Sequence, residues 1–175
     1  MSDSRPSDMP HPASLPPQRL HKDCSIRTTR RRGPGGQHRN KVETAVVIQH
    51  TPTGIRGEAS ERRSQKENRA VALRRLRISL ALEVRCPVSP DAAPSRLWRS
   101  RCRGGSMAIN PRHEDFPALL AEALDVLAHH KMDIRAAGGQ LGCSGSQLVK
   151  LLKRAPLALE RVNQRRRLRE LPPLR

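Results

Sequence analysis

The residues best suited to chemistry stand together in one short stretch, Gly33-Pro34-Gly35-Gly36-Gln37-His38-Arg39-Asn40-Lys41. Two adjacent glycines let a backbone take positive φ values and come close to a ligand. The proline restricts the chain before them, and the glutamine supplies one amide directly after them. Because cations surround the pair, the stretch is predicted to be a flexible tip that enters a phosphate-lined site. The candidate phosphate-binding residues here are Arg30, Arg31, Arg32, Arg39 and Lys41.

The composition points to the chemical class of the partner. The 175 residues carry a formal net charge of +18, and the sequence pI is about 11.5. This excess of positive charge on a small protein indicates a polyanionic partner, with nucleic acid as the first choice and an anionic membrane surface as the second. Aromatic residues make up only 1% of the chain, which argues against a stacking platform for single-stranded bases.

The sequence also gives expectations about location and metals. No apolar run is long enough to span a membrane and the first residues do not form an apolar signal segment, so a cytoplasmic location is expected. The four cysteines have no short paired spacing, which predicts free thiols and no metal site. They are Cys24, Cys86, Cys102 and Cys143.

The glycine-rich stretch lies in a predicted small α+β domain at residues 21–86. Strand-like residue types indicate strands at residues 24–30 and 44–50. Proline and glycine at residues 51–54 predict a turn, after which residues 55–59 are expected to pair back as a third strand. The sheet would hold the stretch as an exposed loop between its first two strands.

One long helix is predicted at residues 64–84. Ser64 and Glu67 have the spacing of a capping box at its start. Four apolar residues recur on one helical stripe, which predicts that this face packs on the sheet. They are Leu73, Leu76, Leu80 and Val84. Four arginines are predicted to form a basic outward face, for which phosphate contact is favoured over simple solvation. They are Arg69, Arg74, Arg75 and Arg77.

The remaining segments are predicted from composition and periodicity. Residues 1–20, rich in Pro and Ser, are predicted to be a disordered arm, and residues 87–112, which lack a pattern, a linker. An all-α module is predicted at residues 113–160, followed by a basic tail at residues 161–175. The candidate RNA-binding residues of that tail are Arg165, Arg166 and Arg167.

Part of the all-α module has the pattern of a helix-turn-helix. A helix at residues 133–141 would be closed by Gly142, and Ser144 with Gln147 would begin the next helix. A second Gly-Gly-Gln occurs inside this pattern, at residues 138–140. Its small residues are explained by close helix packing, so no catalytic role is expected for it.

Several spaced motifs follow one another between residues 33 and 84. They are Gly33-Pro34-Gly35-Gly36-Gln37, Asn40-Lys41, Thr44-Ala45-Val46, His50, Pro52-Thr53-Gly54-Ile55, Arg62 or Arg63 with Ser64-Gln65, and Asn68-Arg69-Ala70. Together they resemble the catalytic domain of class I peptide chain release factors. The sequence departs from that family at Arg32, where the family usually has a small residue, and at Arg39, where it usually has valine.

The resemblance implies ester hydrolysis of peptidyl-tRNA in the ribosomal peptidyl transferase centre. It assigns the catalytic role to Gly35, Gly36 and Gln37, with water as the nucleophile. The backbone N–H of Gln37 would stabilise the leaving 3′-oxygen, and its side chain, methylated in many members, would position or select water. No metal or other cofactor is implied, because positioning and a preorganised donor supply the catalysis when ribosomal RNA completes the site.

The stop-codon-reading domain of full release factors has no counterpart among the 34 residues before Gly35. The chain therefore resembles the short, codon-independent members that rescue stalled ribosomes. Such a protein would bind large-subunit ribosomal RNA and peptidyl-tRNA as a monomer, with its basic tail in the mRNA channel of the small subunit.

Two other functions are compatible with the sequence. The first is a non-enzymatic nucleic-acid-binding protein that reads DNA with the helix-turn-helix. It would use Gln147, Lys150, Lys153 and Arg154 of the helix predicted to begin at Ser144. The second is a member of the release factor family that binds the large subunit without hydrolysis.

Overall fold

The computed structural model describes residues 10–29 and 44–175. Within these ranges the chain is a mixed α+β protein, which confirms the predicted fold class. It divides into two compact units, one formed by Pro12–Leu80 and the other by Ala81–Arg175, to which His11 also belongs. None of the helices in the described ranges is long and apolar enough to cross a membrane.

The first unit contains a three-stranded antiparallel sheet with the order β1-β2-β3. Strand β1 is Cys24–Thr29, β2 is Ala45–His50 and β3 is Arg56–Ala59. The central strand β2 is mostly buried, as its β-branched residues require, whereas β1 is an exposed edge strand. All three predicted strands are therefore confirmed within the described ranges.

The turn between β2 and β3 has the geometry that its sequence predicts. Gly54 takes a φ of +70°, a conformation that favours glycine, and its N–H donates to the carbonyl of His50 at 2.8 Å. The N–H of His50 donates to Ile55 O at 2.9 Å, and its Nδ1 lies 2.8 Å from Thr53 Oγ1. This turn fixes the register of the hairpin.

Helix α2, Gln65–Glu83, follows the sheet and confirms the predicted long helix. Its N-terminus is capped by Ser64, whose Oγ accepts from Glu67 N at 3.3 Å. A Cβ on Gly57 of β3 would lie 2.2 Å from Ala72 O and 2.4 Å from Leu76 N. Glycine is thus required where the backbones of β3 and α2 meet.

The buried stripe of α2 differs in part from the predicted one. Fully buried residues recur every four positions at Asn68, Ala72, Leu76 and Leu80. Leu73 and Val84 were expected on this stripe but are only half-buried. Leu73 is off the four-residue spacing, and Val84 follows the end of the helix at Glu83.

The predicted basic outward face of α2 is wrong for one of its four arginines. Arg77 is only 8% exposed, and its Nε donates to Ala13 O at 3.2 Å. Arg75 is exposed but forms an ion pair with Glu61 at 2.5 Å. A guanidinium held by the protein's own carbonyl and carboxylate groups is less available to phosphate.

The predicted disordered arm is wrong for the residues from Pro12 onward. Pro12–Ser14 and His21–Asp23 are 3-10 turns, and Pro17–Leu20 is a short helix, α1. Ala13 and Leu20 are fully buried, so a few apolar residues order this proline-rich segment. Residues 1–9 lie outside the described ranges.

The second unit is mainly helical, and α4, Phe116–His129, is its most buried helix. Nearly every side chain from Phe116 to Leu127 is buried, and the helix lies within the all-α module predicted at residues 113–160. The other elements are α3 (Arg96–Arg101), β4 (Cys102–Arg103), β5 (Ser106–Met107), α5 (Ile134–Gln140), α6 (Gly145–Lys153) and α7 (Pro156–Arg167).

Residues 87–112 are not the patternless linker that was predicted. They contain α3 and the hairpin of β4 and β5, and Trp98 of α3 is 1% exposed. The indole Nε1 donates to Leu141 O at 2.8 Å, and Ser95 donates through its N and Oγ to Glu122 of α4. One buried aromatic and these hydrogen bonds tie the segment to the helical module.

The helix-turn-helix pattern is confirmed at α5 and α6. Asp133 caps α5 by accepting from Arg135 N and Ala136 N, and Gly142 follows the helix with a φ of +66°. Ser144 caps α6 through a 3.3 Å bond from Gln147 N. Gly142 and Ser144 are the capping residues that the sequence singled out.

The predicted basic tail begins within a helix, because α7 continues to Arg167. Arg166 is 6% exposed, and its guanidinium donates to Met132 O and, at 2.8 Å, to Pro172 O. Asn163 also binds the N and O of Leu174, so the chain after α7 packs back on the helix.

Candidate functional site

Gly35-Gly36-Gln37 lies outside the described residues, and the structure shows the strands on either side of it. Residues 30–43 connect β1 to β2, which are adjacent antiparallel strands. Thr29 at the end of β1 pairs with Ala45 at the start of β2, so the two ends of this connection are held side by side. The candidate catalytic residues therefore fall between two paired strands in the sequence, and the predicted exposed loop itself lies outside the described residues.

Asn68 of α2 anchors the chain where this connection returns to the sheet. Its side chain is fully buried, and its Nδ2 donates to Thr44 O at 2.6 Å and to Arg62 O at 2.9 Å. Its Oδ1 accepts from Arg62 N at 2.9 Å. A single amide thus binds three backbone groups and fixes Thr44, the residue before β2, against the start of α2.

An ion pair and two hydrogen bonds fix residues 58–61, which directly precede Arg62. Glu61 accepts from Ser60 N at 2.8 Å and pairs with Arg75, which also donates to Glu58 O at 2.7 Å. The Ser60 and Glu61 backbone N–H groups lower the pKa of Glu61 to about 2, with Arg75 contributing less. The carboxylate is therefore ionised at neutral pH and remains a partner for Arg75.

The second Gly-Gly-Gln lies in α5 and has a structural role. Cys143 N donates to Gly138 O at 2.9 Å and Gly142 N donates to Gly139 O at 3.1 Å, which together form a Schellman cap. Gln140 Nε2 donates to Ser89 O and Ala92 O, at 3.0 and 3.2 Å. Both glycine carbonyls and the glutamine amide are thus bound within the protein.

The predicted RNA-binding residues fall into two groups. Arg30, Arg31, Arg32, Arg39 and Lys41 lie outside the described residues. On α7, Arg165 and Arg167 are exposed, whereas Arg166 is buried and bound to backbone carbonyls, which does not suit an RNA contact.

A cavity of about 280 Å³ beside α7 is lined by arginine side chains whose proximity was not predicted from the sequence. Its lining includes Arg85, Arg161 and Arg165 over the apolar side chains of Leu124 and Val162. Arg85 pairs with Asp125 at 2.9 Å, and Arg161 is bound to Glu83. Arg161 and Arg165 are four residues apart on one helix, but Arg85 is far from both in the sequence, so spacing gave no signal for its place beside them.

The arrangement of α6 does not favour DNA reading by the helix-turn-helix. Gln147, one of its candidate reading residues, accepts from Met107 N at 3.4 Å and so faces the β4–β5 hairpin. Lys150, Lys153 and Arg154 are exposed. The three cations suit phosphate contact, and lysine or arginine can also bind guanine, so only the contact of Gln147 with the hairpin speaks against base reading.

Residues 19–106 match the RF-1 domain family, and this chain belongs to that family. It is 36% identical over 121 residues to "Peptide chain release factor 1" of Rickettsia africae, an alignment that covers 69% of this chain and 34% of the relative. It is 41% identical over 76 residues to "Peptide chain release factor 1, mitochondrial" of Bos taurus, covering 43% and 17%.

A third relative aligns over a length between those of the first two. "Peptide chain release factor 1" of Acidiphilium cryptum is 40% identical over 95 residues, which cover 54% of this chain and 26% of the relative. In these three comparisons the chain spans between 17% and 34% of the length of the relative. The family match includes Gly35-Gly36-Gln37 and Asn68 and ends before the second Gly-Gly-Gln.

Proposed function

We propose that this protein hydrolyses the ester bond of peptidyl-tRNA in the peptidyl transferase centre of the large ribosomal subunit. The observation that carries the proposal is the position of Gly35-Gly36-Gln37 within the RF-1 domain match and within the connection between paired strands. The names of the relatives, all peptide chain release factors, support the same reaction class.

In the proposed reaction, water attacks the carbonyl carbon of the ester. The bond from that carbon to the 3′-oxygen of the terminal adenosine breaks, the peptide gains a carboxyl group, and the 3′-oxygen takes a proton. The backbone N–H of Gln37 donates to the leaving oxygen, and its side chain positions the water. Gly35 and Gly36 permit the backbone geometry, while ribosomal RNA supplies the rest of the site, so no metal or cofactor is needed.

We also propose that the protein acts in the cytoplasm, as a monomer, on ribosomes stalled without a codon in the A site. The net charge of +18 supports binding to ribosomal RNA, and the exposed Arg165 and Arg167 support a contact with RNA near the mRNA channel. In this proposal positive charge, rather than a codon, directs the protein to the ribosome.

A release assay with the full chain tests both levels of the proposal. Ribosomes carrying labelled peptidyl-tRNA are stalled at the end of a truncated mRNA or at a stop codon, and peptide release is followed over time. We expect release on the truncated mRNA without dependence on the stop codon. We expect loss of release for Gln37→Ala, and unchanged release for Gln140→Ala, which alters the second Gly-Gly-Gln.

Each contradictory outcome has a separate meaning. Release that requires a stop codon would refute the rescue role and leave the hydrolysis intact. Binding of the large subunit without release would refute the hydrolysis and support a non-hydrolytic family member. Full release by Gln37→Ala would refute the assignment of the catalytic residue.

A further inference from the structure

Three side chains typical of zinc sites converge in the second compact unit. His11, Cys86 and Asp125 each offer one ligand atom, and these atoms lie within 4.8 Å of one another. His11 is 8% exposed, Asp125 is 5% exposed, and Cys86 is half-buried. We propose that His11, Cys86 and Asp125 bind one Zn²⁺ ion.

The ligand types select the metal. A thiolate, an imidazole and a carboxylate are all ligands of Zn²⁺, whereas Mg²⁺ and Ca²⁺ require oxygen ligands. Three protein ligands leave one tetrahedral position for water. The three residues come from the start of the described chain, the segment after α2 and the middle of α4, so the ion would join parts that are distant in sequence.

The geometry requires only a small adjustment. Ligand atoms on a tetrahedral Zn²⁺, at about 2.0–2.3 Å from the metal, are roughly 3.3–3.8 Å apart. The largest separation in the cluster is no more than 4.8 Å, so the side chains need to approach by at most about 1.5 Å. Rotation of the half-buried Cys86 side chain about its Cα–Cβ bond can provide this movement.

Two further contacts orient the ligands. The Nε2 of His11 lies 3.2 Å from Val84 O, which favours the tautomer that donates from Nε2 and keeps a lone pair on Nδ1. Asp125 Oδ1 accepts from Arg85 Nη1 at 2.9 Å and from Cys86 N at 3.1 Å. These two contacts hold the carboxylate in one orientation beside Cys86.

Arg85 limits the affinity of the site. Its guanidinium binds Asp125 and Ala81 O and therefore keeps a positive charge beside the cluster. Zn²⁺ must bind against this repulsion, and it has three protein ligands rather than four. We therefore expect weaker binding than in Cys₄ or Cys₂His₂ structural sites.

Cobalt titration of the full chain, freed of metal with a chelator, tests the site. Co²⁺ takes the same ligands and reports thiolate coordination by charge-transfer absorption in the near ultraviolet. We expect one Co²⁺ per chain, displacement by one equivalent of Zn²⁺, and a higher thermal midpoint in Zn²⁺. If neither Co²⁺ nor Zn²⁺ binds at about 100 µM, the concentration that half-saturates a site with a Kd of about 10⁻⁴ M, the proposal is overturned.

Matched cysteine variants assign the ligands. Cys86→Ser and His11→Gln should each remove the charge-transfer band or lower the Co²⁺ affinity at least tenfold, and should remove the thermal shift. Cys24→Ser and Cys102→Ser should retain both. Circular dichroism without metal checks that the variants are folded. A band that survives Cys86→Ser, or one that is lost in Cys102→Ser, would refute this site because the thiolate would come from elsewhere.

Discussion

The chain carries Gly-Gly-Gln twice, and the two copies differ in their flanking residues and in their position relative to the strands and helices. The copy at residues 35–37 follows Gly33-Pro34, precedes Asn40-Lys41 and lies in the connection between strands β1 and β2. The copy at residues 138–140 is the end of helix α5, where its carbonyls accept the capping bonds and its amide ties down residues 89–92. The contacts of the second copy account for its residue types, whereas the first copy lies outside the described residues.

The difference between the two copies shows that the residues around the tripeptide, rather than the tripeptide itself, indicate a function. A tripeptide with two glycines can terminate a helix, admit a close backbone contact or form a catalytic loop. What separates the two copies is the surrounding chain: one lies within the RF-1 domain match and the other lies beyond it. Substitutions at equivalent positions of the two copies should therefore have opposite effects on activity and stability.

The largest difference is expected for alanine at the second glycine of each copy. Gly36→Ala should lower the rate of peptide release about 10²-fold, because a displacement of about 1 Å at a reacting centre has this effect. Gly139→Ala should leave release unchanged, since a Cβ there has no atom within 4 Å. The rates are measured under single-turnover conditions on ribosomes stalled on truncated mRNA.

Thermal unfolding serves as the control for both glycine variants. Gly36→Ala should keep the melting temperature of the parent protein, so that its lower rate reports the reaction rather than unfolding. Loss of release in Gly139→Ala at unchanged stability would contradict the structural role of the second copy.

The anchor of the first copy should be the next most sensitive position. Asn68→Ala leaves Thr44 O, Arg62 O and Arg62 N without their buried partner, and we expect a loss of about 3 kcal/mol in the free energy of unfolding. Release should also fall at temperatures where the variant is still folded, because Thr44 is no longer fixed beside the catalytic segment. Denaturant titration measures the first effect and the release assay the second.

Asn68→Asp tests whether the hydrogen bonds that the Asn68 amide donates, rather than the size of its side chain, are what matters. The carboxylate keeps the size of the amide and an acceptor for Arg62 N, but it has no donor for Thr44 O or Arg62 O. We expect its release rate to fall as in Asn68→Ala. A variant with parental release despite lower stability would show that Asn68 supports the fold alone and does not position the catalytic segment.

Local signals in the sequence predicted the elements whose causes are local. Strand-like residue types marked the three strands, and Gly54 marked the turn between two of them. Gly142 marked the end of α5, and Ser144 marked the start of α6. These residues act through their own backbone conformation or through partners a few positions away. The Gly35-Gly36-Gln37 assignment rests on the same kind of sequence pattern and stays a prediction, because it lies outside the described residues.

The features that the sequence did not predict depend on distant partners. Arg77 is buried because Ala13 O accepts from it across 64 residues, and Trp98 is anchored by Leu141 O across 43. Arg166 was assigned to a basic tail, yet its partners are carbonyls that only the folded chain brings to it. Composition could not reveal these contacts, because arginine and proline-rich segments are most often exposed.

The two glycines of the second copy should respond differently in stability. A Cβ on Gly138 would lie 2.7 Å from Cys143 O and 3.2 Å from Gly145 N, both backbone atoms. Gly138→Ala should therefore lower the free energy of unfolding by about 1–3 kcal/mol. Gly139→Ala should raise it by about 0.5 kcal/mol, because alanine favours a helix and finds open space. Equal effects in denaturant titrations would refute the close contact at Gly138.

The smallest effect is expected for the glutamine of the second copy. Gln140→Ala removes the hydrogen bonds to Ser89 O, Ala92 O and His130 Nε2, the last at 2.7 Å. Because the site is only partly buried, water can replace the lost partner, and the free energy of unfolding should fall by about 1 kcal/mol. Hydrogen exchange should show faster amide exchange at Ala92, whose N–H bond to Ser89 O closes the turn that Gln140 holds. Release should stay at the parental rate, since stability rather than chemistry depends on this glutamine. A release defect without faster exchange at Ala92 would give the second Gly-Gly-Gln a role in the reaction and remove the distinction between the two copies.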